Sequence, residues 1–425
     1  MLDPRFLATR RDEIVESCRR RGVTLDIDSA AAEQARVASL QTELNEKNRL
    51  RNEHQKAGKR KLAPEEREEH VARGRSLKDE VAAIEATLDR VQGSLQERMA
   101  AIPNFVHPDS PIGGEEDFTL LRESGAPPEF DFTPRDHLAI AEDLDLVDFE
   151  AGAKVSGQKF YYLKNDAVVL ELALQRYALD IARAAGFAPF ATPDLARKSV
   201  VDAMAFSPRG PETQIYSIAD ADLDLIGTAE ITLGGLYLDT LVDEADLPIR
   251  MVGLSHCYRT EAGSAGRESR GLYRVHQFSK VELFALTRPE DGEAMHEEIV
   301  AVEEKVFQGL EIPYRLIDVA TRDLGAPAYR KFDIEVWMPG RGESGAYGEI
   351  SSASHCTDFQ ARRLRARFRR AGTKRNELLH TLNGTAIAVT RTLIPLLENH
   401  QCADGGVAIP KALQPYFGRE RIDPR

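Results

Sequence analysis

Two stretches of the chain carry apolar residues at the spacing of a helix seam. In the first, Val37, Leu40 and Leu44 follow one another at intervals of three and four residues. In the second the intervals are four, three, four, three and four, at Leu77, Val81, Ile84, Leu88, Val91 and Leu95. Residues 58–64 interrupt the pattern with glycine and proline. Because two helices joined by a short turn can bury their seams against each other, the pattern predicts an antiparallel hairpin about 45 to 60 Å long.

A proline- and glycine-rich stretch without periodicity follows at residues 100–116, AAIPNFVHPDSPIGGEE. It predicts a boundary between an N-terminal domain, 1–108 with its arm at about 30–100, and a C-terminal domain, 109–425. In the C-terminal part helical and strand-like stretches are mixed, which predicts an α+β fold around an antiparallel sheet flanked by helices. Residues 167–185 have helical spacing and end at Gly186, before a strand that Pro193 stops.

The alternating pattern of a strand runs through residues 254–284, LSHCYRTEAGSAGRESRGLYRVHQFSKVELF. Gly263, Gly266 and Gly271 interrupt it, which predicts two strands joined by a loop. Because side chains alternate along a strand, Arg259 and Glu261 are expected on one face. One face of the returning strand would likewise carry Arg274, His276, Phe278, Lys280 and Glu282. An aromatic ring among ordered charges suits a site that stacks a base and grips a phosphate, although a solvated sheet face can also carry such charges.

Composition limits the class of protein. The chain has 425 residues, 42% hydrophobic and 29% charged, enough for two or three domains with a sizeable core. No apolar run is long enough to span a bilayer and the N-terminus has no signal-peptide core, so we expect a soluble, cytoplasmic protein without a membrane partner. The four cysteines form no CxxC pair, which argues against a disulfide framework or a cysteine-rich zinc site.

Charge is distributed unevenly along the chain. The net charge of -13 argues against a protein coated all over with nucleic acid. Residues 45–61 nevertheless contain two acidic residues, Glu46 and Glu53, against the basic residues Lys47, Arg49, Arg51, Lys56, Lys59, Arg60 and Lys61. This basic patch is interpreted either as an ordinary charged coiled-coil surface or as an arm that contacts a phosphate backbone, where bound cations displace counterions.

Several strings resemble one family. RTEAGSAGRESRGLYRVHQFSKVE, from residue 259, is similar to motif 2 of the class II aminoacyl-tRNA synthetases, in the form found in seryl-tRNA synthetases. Residues 227–230, GTAE, resemble the TxE signature of that family, and residues 348–354, GEISSAS, resemble one of its ATP-site strings. Residues 383–391, NGTAIAVTR, resemble motif 3, and the helix and strand at 167–193 resemble motif 1. The resemblance covers nearly the whole chain, including the N-terminal hairpin.

The resemblance implies an activity. It implies that the chain activates L-serine with ATP and Mg²⁺ to seryl-adenylate and transfers serine to the 3′ end of tRNA(Ser), with tRNA(Sec) as a further candidate. The basic patch would contact the tRNA, and motif 1 would form a homodimer. Three alternatives stay open: a ligase of the same fold that loads a carrier protein, a non-catalytic RNA-binding paralogue, and threonine as the substrate.

The resemblance also implies the site residues. Catalysis would depend on Arg259, Glu282 and Arg391. Serine would contact Thr228, Ala229, Glu230, Arg259, Glu282 and Thr385. ATP would contact Arg259, Thr260, Glu261, Val275, Phe278, Glu349, Ile350, Ser351, Ser352 and Arg391. Glu349 and Ser352 would hold Mg²⁺ through ATP, since carboxylate and hydroxyl oxygens suit a hard cation.

Some of these residues also have ordinary structural interpretations. Thr228 can cap a helix with Glu230 in its first turn. Glu282 can form a surface ion pair with Lys280, and Arg391 can point into water from a helix. The functional interpretation gains support from chemistry, because no GxxxxGK[ST] string is present and arginines must then hold the phosphates.

Overall fold

The structure, a computed structural model, describes residues 1–59, 63–206, 214–262 and 271–425. Arg60 and Lys61 of the basic patch, and Gly263 and Gly266 of the predicted loop, lie outside the described residues. The chain divides into two units, Met1–Phe105 and Val106–Arg425. The helices of the first unit are α1 (Phe6–Thr9), α2 (Arg11–Arg20), α3 (Ile27–Ala57) and α4 (Pro64–Ala101).

Helices α3 and α4 form the predicted antiparallel hairpin. The Asp26 side chain caps α3 by accepting from the Ser29 N–H at 2.9 Å, and Pro64 starts α4, where its missing N–H has no cost. The buried seam consists of Leu44, Val81, Ile84 and Leu88, with Val37 and Leu40 packed against it. At 1.5 Å per residue the two helices, 31 and 38 residues long, span about 46 and 57 Å. The predicted hairpin and its length are therefore confirmed.

The second unit mixes strands and helices. Its strands are β1 (Thr119–Ser124), β2 (Val147–Asp148), β3 (Tyr162–Leu163), β4 (Ala188–Ala191), β5 (Leu195–Arg197), β6 (Leu223–Leu225), β7 (Leu241–Asp243), β8 (Ile249–Tyr258), β9 (Gln277–Thr287), β10 (Tyr314–Asp318), β11 (Arg330–Met338), β12 (Ala346–His355), β13 (Arg367–Arg369), β14 (Asn376–Leu378), β15 (His380–Ala388), β16 (Val407–Ala408) and β17 (Arg421–Ile422). Its helices are α5 (His137–Asp143), α6 (Phe149–Ser156), α7 (Asp166–Ala184), α8 (Lys198–Ala203), α9 (Glu230–Gly235), α10 (Gly292–Gly309), α11 (Phe359–Leu364), α12 (Val389–Asn399) and α13 (Gln414–Phe417).

An eight-stranded sheet organises this unit, in the order β1-β10-β11-β12-β15-β9-β8-β4. Neighbouring strands are antiparallel, except that the edge strand β4 runs parallel to β8. Helices α7, α10 and α12 pack against the sheet over a continuous apolar core. The predicted α+β fold around an antiparallel sheet is therefore confirmed. The apolar side chains of these strands need a helical layer to cover them.

The two strands predicted in residues 254–284 are β8 and β9, which pair from Ile249 with Leu286 to Tyr258 with Gln277. The predicted sharing of strand faces is wrong at their ends. Arg259 and Glu261 follow β8, and Glu261 has a left-handed backbone with φ of 50°. Arg274 and His276 precede β9, so they belong to the irregular connection, where strand alternation no longer decides which way a side chain points.

The sheet is open at one position between its central strands. The backbones of β12 and β15 pair at three positions: Ala353 with Gly384, Ser354 with Asn383 and His355 with Leu382. The pairing ends at Ala353 and Gly384. Beyond Gly384 a side-chain hydrogen bond connects the two strands: the Ser351 hydroxyl donates to the Thr385 carbonyl oxygen at 2.5 Å. A gap between strands exposes side chains of both to one cavity.

No helix in the described part of the chain is long and apolar enough to cross a membrane.

Candidate active site

A cavity with about 750 Å³ of open space, mouth included, lies where β12 and β15 separate. It brings together most of the residues that the family resemblance implies for serine and ATP. Those lining it are Thr228, Glu230, Arg259, Glu261, Val275, Phe278, Glu282, Glu349, Ile350, Ser351, Ser352, Thr385 and Arg391. Ala229 and Thr260 do not line it: Ala229 is fully buried, and the Thr260 hydroxyl accepts from the Ala262 N–H at 3.4 Å.

Sequence reasoning did not assign some of the lining residues to the site. They are Phe206, Tyr273, Lys280, Asn383, Ala388 and Thr390. Asn383, Ala388 and Thr390 belong to the string that resembles motif 3, and Tyr273 to the one that resembles motif 2, so the strings contained the signal. Phe206 lies outside those strings, and only the fold brings its ring near Arg259, with the guanidinium carbon 5.9 Å from the ring centroid.

One end of the cavity is acidic. The Glu282 carboxylate lies 2.5 Å from the Lys280 ammonium and accepts from the Thr385 hydroxyl at 3.3 Å. The ion pair considered for Glu282 and Lys280 therefore exists, but it is buried, with 2% and 6% of the two side chains exposed. Two charges held without water lose solvation, so such a pair gains from further polar partners.

A second carboxylate, Glu230, makes this acidic end unusual. Burial and then the charge of Glu282 raise the pKa of Glu230 to about 7, although the Lys280 charge and a 2.7 Å hydrogen bond from Gln360 oppose the rise. Burial also raises the pKa of Glu282, against the attraction of Lys280. Two neighbouring carboxylates with raised pKa values form a site that a bound cation stabilises.

Thr228 and Glu230 lie at the start of α9. The Thr228 hydroxyl accepts from the Glu230 N–H at 3.3 Å, but the N-cap residue of α9 is Ala229, one position later than the helix-capping interpretation places it. Both side chains also line the cavity. The capping contact and the cavity position are therefore compatible, since a short helix that begins at the site holds both side chains at its edge.

Arg259 lies near both acidic and aromatic groups. Its Nε and Nη2 atoms each lie 3.4 Å from the Gly227 carbonyl oxygen, and its guanidinium carbon lies 5.4 Å from the centroid of the Phe278 ring. Its charge opposes the burial that raises the pKa of Glu230 and Glu282. The weak contacts leave the guanidinium available to an anion that enters the cavity.

Arg391 and Glu349 define the other end of the cavity. The Arg391 Nη1 atom donates to Glu349 Oε1 at 3.2 Å, and its guanidinium carbon lies 4.9 Å from the centroid of the Tyr273 ring. The Tyr273 hydroxyl in turn donates to the Glu349 carbonyl oxygen at 3.0 Å. Only 18% of the Arg391 side chain is exposed, which disagrees with the alternative interpretation that this helical arginine points into water.

The Glu349 carboxylate is suited to a hard cation. Burial raises its pKa, but the charges of Arg391, Lys331 and Arg259 outweigh burial and hold the pKa below its usual value. The Ser352 hydroxyl lines the same cavity. In the described residues no cluster of three or more His, Cys, Asp and Glu could hold a metal. One carboxylate and one hydroxyl fit Mg²⁺ that takes its remaining oxygen ligands from a phosphate ligand and water.

Glu261 closes the cavity at the motif 2 side. Its carboxylate accepts from Arg274 Nη1 at 3.2 Å, and its N–H donates to the Gln214 side chain at 3.0 Å. Arg274 was expected on a strand face. It lies in the irregular connection instead, where its contact with the site is the hydrogen bond to Glu261. His276 does not line the cavity. Its ring lies 5.2 Å from the Phe160 ring instead.

The basic patch of the hairpin differs from residue to residue. Lys47 pairs with Glu80 at 2.6 Å, and Arg49 pairs with both Glu46 and Glu53 at 2.7 Å. Among the described residues, Arg51, Lys56 and Lys59 form no ion pair, and the two lysines are exposed. The patch therefore offers paired and unpaired cations side by side.

Known proteins resemble the chain over its whole length. Residues 1–106 match the family model of the seryl-tRNA synthetase N-terminal domain, and residues 216–400 match that of the class II tRNA synthetase core domain (G, H, P, S and T). A serine–tRNA ligase of Treponema denticola is 48% identical over 99% of this chain and 100% of its own length. A serine–tRNA ligase of Rubrobacter xylanophilus is 50% identical over 100% of this chain and 99% of its own length. The crystal structure of seryl-tRNA synthetase from Pyrococcus horikoshii complexed with ATP superposes with a TM-score of 0.92, at 36% identity and full coverage of both chains.

Proposed function

The chain belongs to the seryl-tRNA synthetase family, and we propose that its cavity joins L-serine to ATP and passes the seryl group to tRNA. The enzyme is a class II serine–tRNA ligase that uses ATP as a substrate. One observation carries the proposal: Arg259 lies between the acidic end of the cavity and the end that holds Glu349 and Arg391. Its charge acts on Glu230 and Glu282 at the acidic end and on Glu349 at the other end.

The acidic end suits the amino acid. Glu230 and Glu282 attract the serine ammonium group, and Thr385, which donates to Glu282, recognises the serine hydroxyl. A site built to pair a substrate hydroxyl rejects an analogue without it, because buried polar groups would be left unpaired. Thr228 completes this subsite from the start of α9.

The Arg391 end suits ATP. Phe278 stacks on the adenine, Glu261 accepts from its amino group, and the backbone of Val275 contacts the base. Residues 349–352 hold the ribose and phosphates, and Arg391 binds the γ-phosphate. Glu349 and Ser352 would hold Mg²⁺, which would neutralise phosphate charge.

The first reaction follows from this placement. A serine carboxylate oxygen attacks the α-phosphorus, the new P–O bond forms seryl-adenylate, and the bond to the bridging oxygen breaks to release pyrophosphate. Arg259 binds the α-phosphate and the serine carboxylate together and stabilises the charge that builds between them. No protein nucleophile takes part, because the reaction depends on alignment and electrostatics.

The second reaction needs tRNA. The 3′ hydroxyl of the terminal adenosine attacks the seryl carbonyl carbon, the ester forms, and AMP leaves. The hairpin contacts tRNA(Ser) through the basic patch, where Arg51, Lys56 and Lys59, which form no ion pair with any described residue, can displace counterions. The 1–108 region thus serves tRNA binding and the 109–425 region catalysis. The tRNA substrate also implies that the enzyme works in the cytoplasm.

A homodimer accounts for exposed apolar side chains. Val168, Val169 and Leu172 on α7 are exposed in the single chain, as is Phe190 on the edge strand β4. Exposed apolar residues grouped on neighbouring elements are typical of an interface. These are the elements that resemble motif 1.

The direct test is ATP–pyrophosphate exchange, measured with each amino acid in turn. A tRNA(Ser) charging assay is run in parallel. We expect exchange with serine alone, together with charging. Exchange without charging would favour the ligase that loads a carrier protein, and no exchange would favour the non-catalytic paralogue. Exchange that is faster with threonine would contradict the assigned substrate.

A further inference from the structure

One fully buried carboxyl group behind the cavity has no role in the proposed reaction. Glu303 lies on α10, which packs against β12 and β15, and its side chain has no exposed surface. Neither carboxylate oxygen has a well-formed hydrogen bond among the described residues, although the Ser351 hydroxyl and the Thr385 N–H lie next to the carboxyl group. A buried charge without partners is costly, so this group needs an explanation.

The carboxyl group lies directly against the strand that carries Thr385. A Cβ placed on Gly384 would lie 2.5 Å from Glu303 Oε1 and 2.3 Å from Ile299 Cγ2. Glycine at this position therefore lets α10 bring the carboxyl group against the β15 backbone. Because side chains alternate along a strand, Thr385 points to the opposite face, where it lines the cavity.

The contact lies where the sheet is open. Backbone pairing of β12 with β15 ends at Gly384, and the Ser351 hydroxyl spans the gap by donating to the Thr385 carbonyl oxygen. That contact uses the only hydroxyl hydrogen of Ser351, but its oxygen can still accept. On the β12 side Thr385 is thus held by this side-chain contact at its carbonyl, while on the other side β15 pairs with β9, with Thr385 opposite Glu282.

The surroundings of Glu303 favour its uncharged form. Burial first, and then the charge of Glu282, raise its pKa well above the usual value, and the neighbouring Ser351 hydroxyl and Thr385 N–H oppose the rise only in part. As a carboxylate, Glu303 would be a buried charge beside only these two donors, and the Ser351 hydrogen is already donated to the Thr385 carbonyl oxygen. As a protonated acid it needs only an acceptor, which the Ser351 oxygen provides.

We propose that Glu303 is a positioning residue for the amino-acid subsite, donating its proton to Ser351 Oγ while Ser351 donates to the Thr385 carbonyl oxygen. The relay reaches from α10 through β12 to β15 and supports Thr385 on its β12 side, where backbone pairing is missing, while β9 pairs with its other side. This inference rests on the proposed function, since it takes Thr385 and Glu282 as the serine subsite.

Two substitutions of Glu303 separate positioning from packing. Glu303→Gln keeps the shape and an N–H donor, so the KM for serine should stay within about twofold of the unchanged enzyme. Glu303→Leu keeps similar volume but has no donor, so the KM for serine should rise about tenfold while the KM for ATP stays within about twofold. An unchanged KM for serine in Glu303→Leu, or an equal rise of both KM values, would overturn the proposal.

A second variant protects the test against a failure of Glu303→Leu to fold. Ser351→Ala breaks the relay without altering α10 and should raise the KM for serine by a similar factor. In the double variant the two effects should not multiply, because both remove one relay. A Ser351→Ala enzyme with an unchanged KM for serine, or multiplied effects, would contradict the relay.

Glu304 is the matched control on the same helix. It pairs with Arg122 at 2.6 Å and accepts from the Tyr314 hydroxyl at 3.0 Å. Glu304→Leu should lower thermal stability and leave the KM for serine unchanged. If it raises that KM as much as Glu303→Leu does, the effect comes from helix packing and the proposal is wrong.

Thr385→Val distinguishes this inference from the proposed function. If the unchanged enzyme shows no serine-dependent exchange, the proposed function fails. If it does, and Thr385→Val raises the KM for serine while Glu303→Leu does not, only the inference fails. A rise in both variants supports the relay.

Discussion

The cavity and the helical hairpin use charge in opposite ways. In the cavity, charged groups are buried and close together, such as Lys280 with Glu282, and neighbouring charges shift their pKa values. On the hairpin, charged groups are spread over an exposed surface, and the cations divide into paired ones such as Lys47 and unpaired ones such as Lys56. Buried charges are weakly screened and act through their exact neighbours, whereas exposed charges act through their number.

This contrast separates the two tasks of the enzyme. A reaction centre needs a few groups at fixed positions, because stabilisation of a transition state depends on preorganised geometry. Contact with a phosphate backbone depends on how many counterions are displaced. Single substitutions should therefore have large effects in the cavity and small, additive ones on the hairpin.

The largest expected effect of a single substitution is at Arg259. Arg259→Lys keeps the charge but loses the planar fork that holds two anionic groups, so kcat for serine-dependent exchange should fall roughly 100- to 1,000-fold. Arg315 is the matched control, because its guanidinium also lies over an aromatic ring, Tyr347, and pairs with Glu335 away from the cavity. If Arg259→Lys and Arg315→Lys lose similar activity, position within the cavity is not decisive.

An intermediate effect is expected from the protonation of Glu230. Its pKa is raised to about 7 by burial and by Glu282, so the carboxyl is largely protonated at pH 6 and ionised at pH 8. Only the ionised form attracts the serine ammonium, so the KM for serine should fall about tenfold between these pH values. Glu230→Gln should abolish this pH dependence and weaken serine binding. A variant that keeps the dependence would show that another group titrates.

The same shift sets the sign of a stability effect. A carboxyl whose pKa is higher in the folded than in the unfolded chain binds its proton more tightly when folded, so stability falls as pH rises from about 4.5 to about 7. Glu230→Gln should flatten this fall in a series of thermal denaturations. An unchanged slope would contradict the burial of an ionisable group at this position.

The smallest effects are expected on the hairpin. Lys56→Ala removes an unpaired cation and should weaken tRNA(Ser) binding about two- to fivefold, with a lower salt dependence. Lys47→Ala is the paired control and should have a smaller effect, since Glu80 already neutralises Lys47. Titrations of tRNA binding at several salt concentrations would measure both. A larger loss in Lys47→Ala would show that the internal pair positions the arm.

Periodicity and resemblance predicted much of this structure. The spacing from Leu77 to Leu95 was enough for the hairpin, because a seam depends only on local repeats. The strings around Arg259, Glu349 and Arg391 identified residues that the fold brings into one cavity. Such strings contain both the residue types and the local turns that orient them.

Properties that depend on distant neighbours were not predictable. Burial of the Lys280 and Glu282 pair depends on how β9 is covered, and Arg274 and His276 left the strand because β9 starts only at Gln277. Phe206 and Glu303 carry no local signal, since only folding brings them to opposite sides of the central strands. The pKa of Glu230 likewise arises from Glu282, far away in sequence.

The separation of tasks is tested most directly by shortening the hairpin. Replacing residues 42–85 with a short glycine linker removes the basic patch and leaves every cavity residue in place. We expect kcat/KM for serine-dependent exchange to stay within about twofold, and kcat/KM for tRNA(Ser) charging to fall on the order of 100-fold. A parallel loss of exchange and charging, or charging that survives the deletion, would contradict the assignment of tRNA contact to the hairpin and of chemistry to the cavity.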